Sequence, residues 1–414
     1  MAYDRSTSLV LRDGRFRDPE GGTVVEGDLL VEDGMISEIG DVGPTDAPVL
    51  DCGGGTVVPG FLDAHFHAYS TCMGGLELER RAMSFVAINA TRRLGACLAR
   101  GFTTVRDVAG GDAGLAQALD QQLVPAPRYL YSGPALSQTG GHGDPRPADL
   151  DVCFHEGHMN EIVDGVDDLR RAVRRRFQQG AHVIKIMTSG GVVSPVDPIR
   201  IPQYSAEEVA AVVDEATRRG SYVAAHAYSS EAVIHSVTHG VRSIEHGNLI
   251  DDAAAQAMAE HGAYLVPTLV TYDSMARRAD EVGLSATGRA KNAEVLDSGR
   301  QAIALATAAG VPVGFGSDLM GDLEDDQLRG LQLQAEVQTP AELLCSITTV
   351  NAALFGRPEL GRLAVGTPAD LIVLAADPID DVEVLWDRSR PRTVVKAGVP
   401  VGSVPDAGGL SLRM

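Results

Sequence analysis

"VVPGFLDAHFHAYS", residues 57–70, is an apolar run that stops abruptly on two histidines, His65 and His67, one residue apart. In a strand, side chains two residues apart project the same way, so both imidazoles aim at one point. A metal ion needs that arrangement, and the meaning of the pair depends on whether other strands end alike.

Outward from this stretch, short apolar strands alternate with helical segments. The strands read "GFLDAHFH", "FTTVRDVA", "RYLYSG", "HVIKIMTSGG", "SYVAAHA", "RSIEHG", "AYLVPTLV" and "VPVGFGSD". Between them, "SFVAINATRRLGACLARG" and "SAEEVAAVVDEATRRG" carry helical periodicity, the second opening on a Ser cap with Glu208 three positions later. After the last strand, "TPAELLCSITTVNAALFG" starts a helix with Thr339 before a proline. Strand–helix alternation of this kind predicts an α/β fold, a closed (β/α)8 TIM barrel. An open doubly wound sheet is the alternative, but no Gly-x-Gly-x-x-Gly fingerprint follows a strand. In a barrel the C-terminal strand ends face the active-site mouth, and His65 and His67 sit at such an end.

The two ends of the chain have a different grammar. "STSLVLRDGRF", "GDLLVEDGMISEIG" and "APVLDCGGGTVV" alternate apolar runs with Asp-Gly and Gly-rich turns, and the pattern returns in "GTPADLIVLAADP" and "RTVVKAGVPVGS". The expectation is a small β-sandwich domain built from residues 1–58 and 363–414, interrupted by a barrel over residues 59–362.

Composition narrows the function. The 414 residues are 44% hydrophobic, enough for a sizeable core, and 56 acidic against 35 basic residues give a net charge of −21. That balance argues against nucleic acid or an anionic membrane as partner. The basic run "LRRAVRRRF", 169–177, has Leu169, Ala172, Val173 and Phe177 at helical spacing after Asp167 and Asp168, and reads as the solvated face of an amphipathic helix. Five scattered cysteines without a Cys-x-x-Cys pair, no signal-peptide pattern and no bilayer-length apolar window point to a cytoplasmic protein.

Four more predicted strands end on residues that could serve a metal. Lys185 closes "HVIKIM" but for two residues, His226 closes "YVAAH", His246 closes "SIEH" and Asp318 closes "VGFGSD". A lone strand histidine is usually a core residue and a lone Asp before a turn usually a cap, but coincidence at five strand ends is a stronger signal. Lys185 stands among Val183, Ile184, Ile186 and Met187, where burial lowers an ammonium pKa. Either an acidic neighbour pairs with it, or the neutral amine takes up carbon dioxide to give a carbamate whose two oxygens could bridge two cations.

The motifs "GFLDAHFH", "IKIMTSGG", "AAHAY", "IEHGN" and "GFGSD", in this order and inside a β-flanked barrel, resemble the amidohydrolase superfamily, in its binuclear branch with a carboxylated lysine. "GFTTVRDVAG", "TGGHGD", "KIMTSGGVVSPVDP" and "SIEHGNLID" further resemble the imidazolonepropionase-like group that contains prolidases and other dipeptidases. The resemblance implies that His65, His67 and Asp318 hold a buried ion, His226 and His246 a more exposed one, and carboxylated Lys185 (N6-carboxylysine) bridges the two. Two divalent metal ions are thus the expected cofactors, zinc by ligand type. Together they would generate a hydroxide to attack an amide carbonyl, with Asp318 as general base and then acid.

The resemblance also makes His142, in the Gly-rich loop "SQTGGHGD", a partner of the substrate carbonyl or intermediate. Tyr228, two residues past His226, faces the same way by alternation and is placed to bind a substrate carboxylate. His155 and His158 in "HEGHM" lack the zinc-protease spacing, though their loop could border the pocket, and Arg106 and Asp107 could brace the mouth as an ion pair. His235, His239 and His261 receive no role. Asp322, Glu324, Asp325 and Asp326 are either solvated or an attractor for a basic substrate group.

The expected reaction is hydrolysis of a small-molecule amide, with dipeptides or N-acyl amino acids as substrates, in a homo-oligomer. The alternatives are a non-peptide amide or carbamate of mycotoxin or herbicide type, a cyclic amide or deamination, and a scaffold without catalysis. A scaffold typically loses ligands, and here every ligand position is filled.

Overall fold

Strand formation at the deciding stretch follows from complete burial. Thr56–Pro59 and Phe61–Phe66 are buried at every position. Gly60 joins them where a Cβ would fall 2.1 Å from Thr103 Oγ1, so only glycine lets the two strands pass. The computed structural model of the chain describes residues 8–149, 151–194 and 197–401.

Phe61–Phe66, Phe102–Asp107 and Arg128–Tyr131 pair in parallel as the first three barrel strands. Ile184–Met187, Val223–Ser229, Ser243–Leu249 and Tyr264–Val266 pair in parallel as the fourth to seventh. Backbone hydrogen bonds join the two arcs. His182 N–H donates to Tyr131 O at 2.8 Å on one side. On the other, Val313 bridges Leu265 in parallel, and Ala64 N–H and Asp318 N–H donate to Phe315 O (2.8 Å) and His65 O (2.7 Å). The ring therefore closes through residues 311–318, the predicted eighth strand, although its ladder is reduced to a single bridge. The reason is local: Gly314 and Gly316 pack so tightly against Asn351 and His65 that a Cβ on either would clash.

Between the third and fourth strands the sequence reading missed two short parallel strands, Ala135–Ser137 and Asn160–Ile162, which extend the fourth strand's sheet through Leu136 and carry the loop of His142. The helix Ala206–Arg218 has the expected capping box between Ser205 and Glu208, and Pro340–Cys345 has another between Thr339 and Glu342. The helix Val166–Gln178 buries Leu169, Ala172 and Val173 and leaves Arg171 and Arg174 exposed as expected of an amphipathic helix, but Arg176 is buried and the basic face is paired. Arg170 and Arg174 pair with Glu215, and Arg175 and Arg176 pair with Glu161.

Strands from both ends of the chain share one sheet. Thr56–Pro59 lies between Leu9–Arg17 on one side and Leu371–Leu374 on the other, and Arg392–Lys396 extends it. Bonds from Ile36 N–H to Thr367 O and from Gly366 N–H to Ile36 O fold this sheet over its own core of Leu11, Phe16, Leu29, Val57 and Leu371. The molecule is thus an α/β protein, a TIM barrel with a small β domain contributed by both termini. Among the described residues no helix is long and apolar enough to cross a membrane.

Candidate metal centre

At the C-terminal mouth of the barrel, three acceptor atoms converge. His65 Nε2 lies 3.2 Å from His67 Nε2 and 3.3 Å from Asp318 Oδ1, and His67 Nε2 lies 2.9 Å from the same oxygen. His65 donates its Nδ1–H to Glu245 Oε2 at 2.8 Å, so its Nε2 presents a lone pair to the other two atoms. Converging lone pairs repel unless a positive charge sits among them. Zinc bonds of about 2.0–2.1 Å in a tetrahedron would separate ligand atoms by roughly 3.3 Å, which matches this triangle. Without an ion, a proton on His67 supplies that charge. Burial pulls the His67 imidazole pKa down, yet Asp107 and Asp318 more than offset this and raise it to about 9. Burial likewise works against the Asp318 carboxylate, but His65 and His67 hold it well below the usual range.

A second group adjoins the first. The rings of His226 and His246 lie 4.5 Å apart, His246 is 5.0 Å from the His65 ring, and His246 Nδ1 is 3.9 Å from Asp318 Oδ2. His65, His246 and Asp318 form a group able to hold a metal ion, their ligand atoms lying within 4.8 Å of one another. His226 Nε2 meets Gly190 O at 3.1 Å, whereas His246 Nδ1 meets Thr268 Oγ1 at 2.8 Å and Tyr272 OH at 2.7 Å. Each ring is thereby oriented through one nitrogen and keeps the other for a ligand, as metal-binding histidines do. Lys185 is buried on the fourth strand, and burial pushes its ammonium pKa down to about 8. Among the described residues no carboxylate forms an ion pair with its amine, although the charges of Glu245 and Asp318 partly offset the burial.

His65, His67, His142, Lys185, Tyr228, His226, His246 and Asp318 all border one cavity of about 280 Å³. The His142 ring stacks on His226 at 4.1 Å and 19°, and its Nδ1 meets Ser194 Oγ at 2.8 Å. Tyr228 stacks on His246 at 5.0 Å, and its hydroxyl meets that of Tyr272 at 2.8 Å.

Other expectations are corrected. Arg106 does not pair with Asp107. Neighbouring strand residues face opposite ways, so Arg106 donates to Glu245 Oε1 at 2.7 Å while Asp107 accepts from Tyr129 OH at 2.7 Å. The expectation that the loop of His155 and His158 could border the pocket holds, through Met159 and Asn160, while the two histidines do not line the cavity and His158 Nε2 is spent on Arg81 O at 2.8 Å. Glu324 is buried between Arg92 and Arg93, and Asp326 accepts from Arg277 and Ser274, so neither is solvated or free to attract a substrate.

The sequence reading overlooked Glu245, Thr268 and Tyr272, the residues that orient His65 and His246. A glutamate inside the apolar "SIEHG" was a usable signal. In a regular strand Glu245 and His246 would point to opposite faces, but left-handed backbone at His246 (φ 77°) breaks the alternation and brings both to His65.

Comparison with known proteins identifies the family. Residues 56–401 match the amidohydrolase family. Ochratoxinase from Aspergillus niger is 32% identical over 368 residues, covering 83% of this chain and 75% of that protein. A crystal structure of a prolidase complexed with N-methylphosphonate-L-proline superimposes with a TM-score of 0.91 at 42% identity, covering 95% of this chain and 99% of that one. A Xaa-Pro dipeptidase with methionine bound in its active site gives a TM-score of 0.85 at 29% identity, over 95% and 99% of the two chains. Fold, strand-end residues and extended sequence similarity lead to one conclusion: the chain belongs to the amidohydrolase family and is a hydrolase of carbon–nitrogen bonds.

Proposed function

We propose that the chain is a binuclear amidohydrolase in which His65, His67 and Asp318 hold one divalent ion, His226 and His246 hold a second, and a carboxylated Lys185 bridges them. The observation that carries this reading is the triangle of three potential ligand atoms at 2.9–3.3 Å, around a point where Asp107 and Asp318 favour positive charge. An unpaired, buried Lys185 with its pKa lowered toward 8 supports the bridge, since only the neutral amine reacts with carbon dioxide. Zinc suits the imidazole and carboxylate donors.

Such ions, when bound, activate water at neutral pH and polarise the amide carbonyl. Asp318 accepts the proton of the attacking water and returns it to the leaving nitrogen. His142, anchored through Nδ1 by Ser194, offers its other nitrogen to the carbonyl oxygen as charge develops there. Tyr228 turns its hydroxyl from Tyr272 to the substrate carboxylate.

The substrates proposed are dipeptides of the Xaa-Pro type and N-acyl amino acids. At about 280 Å³ the cavity is at the small end of ligand pockets, roughly 300–1,000 Å³, and Met73, Leu78, Met159, Val192, Met275 and Met320 give it an apolar wall. This suits a short substrate with an apolar side chain. Similarity to ochratoxinase over most of the chain favours a second reading, an amide joining an amino acid to a larger aromatic acid. The five free cysteines fit a reducing cytoplasm, and we expect a homo-oligomer, which sedimentation would test.

The deciding experiment is elemental analysis of protein purified with bicarbonate and without chelator, beside Lys185→Ala, followed by hydrolysis of a dipeptide and N-acyl amino acid panel. About two ions per chain, a clear fall in the variant and turnover of the panel are expected. One ion per chain, unchanged by the substitution, would overturn the bridged site.

A further inference from the structure

The cavity wall beside His142 is tied down by a residue outside the site. Lys291, on the helix Ala286–Ala308, donates its ammonium protons to Gly191 O (2.9 Å), Ser194 O (2.9 Å) and Asp197 O (2.8 Å). Three donors meet three carbonyls, so the ammonium is fully used by one segment of the loop that follows the fourth barrel strand. Asp197 also ties Gly191 to Gln203. Asp197 Oδ2 accepts from Gly191 N–H at 3.2 Å and from Gln203 Nε2 at 3.1 Å.

Ser194, Gln203 and Gly191 meet His142 on three sides. Ser194 Oγ meets its Nδ1 at 2.8 Å, and Gln203 Oε1 accepts from its backbone N–H at 3.1 Å. Gly191 lies against the ring so closely that a Cβ there would fall 2.0 Å from Cε1. Val192, Val193 and Ser194 then form part of the cavity wall. We propose that Lys291 is a positioning residue for the hydrolysis: by fastening Gly191, Ser194 and Asp197 it holds His142 against His226 and sets the wall the substrate meets. This rests on the reading of the cavity as the place of amide hydrolysis.

Without the ammonium, three carbonyls lose their donor and the segment is free to shift. A displacement near 1 Å at a substrate-positioning group costs up to about a hundredfold in rate. Arginine is no replacement, because a planar guanidinium cannot reproduce three convergent bonds to a point charge.

The test compares the parent with Lys291→Met, which keeps an apolar stem, and with Ser194→Ala and the double variant. Metal content, unfolding midpoint, kcat and KM are read with leucyl-proline and N-acetylmethionine. We expect Lys291→Met to keep its metal and fold, to lose about tenfold to a hundredfold in kcat/KM with a raised KM, and to be non-additive with Ser194→Ala, since both act through His142. Unchanged kinetics, or a loss that only tracks lost metal or folded fraction, would overturn the proposal. Should Lys291→Met fail to fold, Lys291→Arg decides in the same way, a kinetic loss supporting it and parent-like kinetics overturning it. A parent that hydrolyses neither substrate and binds no metal is a separate result, which refutes the reading of the cavity itself.

Discussion

Asp318, His246 and Thr268 share a backbone feature that ordinary side chains avoid, with φ of 51°, 77° and 48°. Left-handed backbone costs a non-glycine residue roughly 1–2 kcal/mol, and it persists where the surroundings over-determine it. Here they do: Asp318 N–H is bonded to His65 O at 2.7 Å, and Thr268 and Tyr272 both meet His246. Because asparagine tolerates this conformation, Asp318→Asn changes the chemistry and spares the backbone. Its kcat is expected to fall by about 10²–10⁴, the usual contribution of a positioned general base, with an unfolding midpoint near the parent's; stopped assays and thermal melts on one preparation check both.

Between elements, close approach and charge pairing decide the consequences. Gly191 passes the His142 ring with no room for a methyl group, so Gly191→Ala must displace the ring or the cavity wall. A drop of at least about tenfold in kcat/KM with retained metal is expected, and a fully active variant would contradict the placement of His142. Away from the site, Asp273 on Leu269–Arg277 receives Arg329 from Gln327–Ala335 at 2.8 Å and Arg277 from its own helix at 2.7 Å. Burial works against this carboxylate, but the two arginines hold its pKa below the ordinary value. The stabilisation is therefore present above the unfolded-state pKa of about 4 and is lost as pH falls through the lower folded value. Melting the parent and Asp273→Asn from pH 6 down to pH 3 should show the parent's advantage at pH 6 shrinking toward the acid end.

For the whole barrel, Arg106 is the cross-brace. Fully buried, it donates to Ala64 O of the first strand at 2.6 Å, to Tyr222 OH at 3.2 Å, and to Ser243 Oγ (3.2 Å) and Glu245 Oε1 (2.7 Å) of the sixth. Glu245 in turn holds His65, so the brace connects barrel integrity to the candidate metal centre. Arg106→Leu leaves a buried carboxylate without its cation, a loss of about 3–5 kcal/mol. Chemical denaturation should show a lowered midpoint, and elemental analysis a reduced metal content.

How much of this was readable beforehand depends on the range of the interaction. Alternation in "DAHFH", the Ser205–Glu208 and Thr339–Glu342 boxes and the Gly breaks in "VGFGSD" are settled by neighbours a few residues away, and they were enough to identify the barrel, although the fifth and sixth strands do not end on His226 and His246 but run on to Ser229 and Leu249. The partners that orient those side chains were not legible. Glu245 meets His65 across 180 positions and Lys291 meets Gly191 across 100, and no periodicity links such pairs. Even adjacency misled, since Arg106 and Asp107 turn to opposite faces of one strand. The amino-acid sequence by itself determined the alternation of strands and helices and which side chains its main strands carry, because local sterics and burial pattern act along the chain. Only the tertiary structure decided what each polar group pairs with, because in a water-poor interior a buried charge takes whichever partner the closed barrel brings within reach.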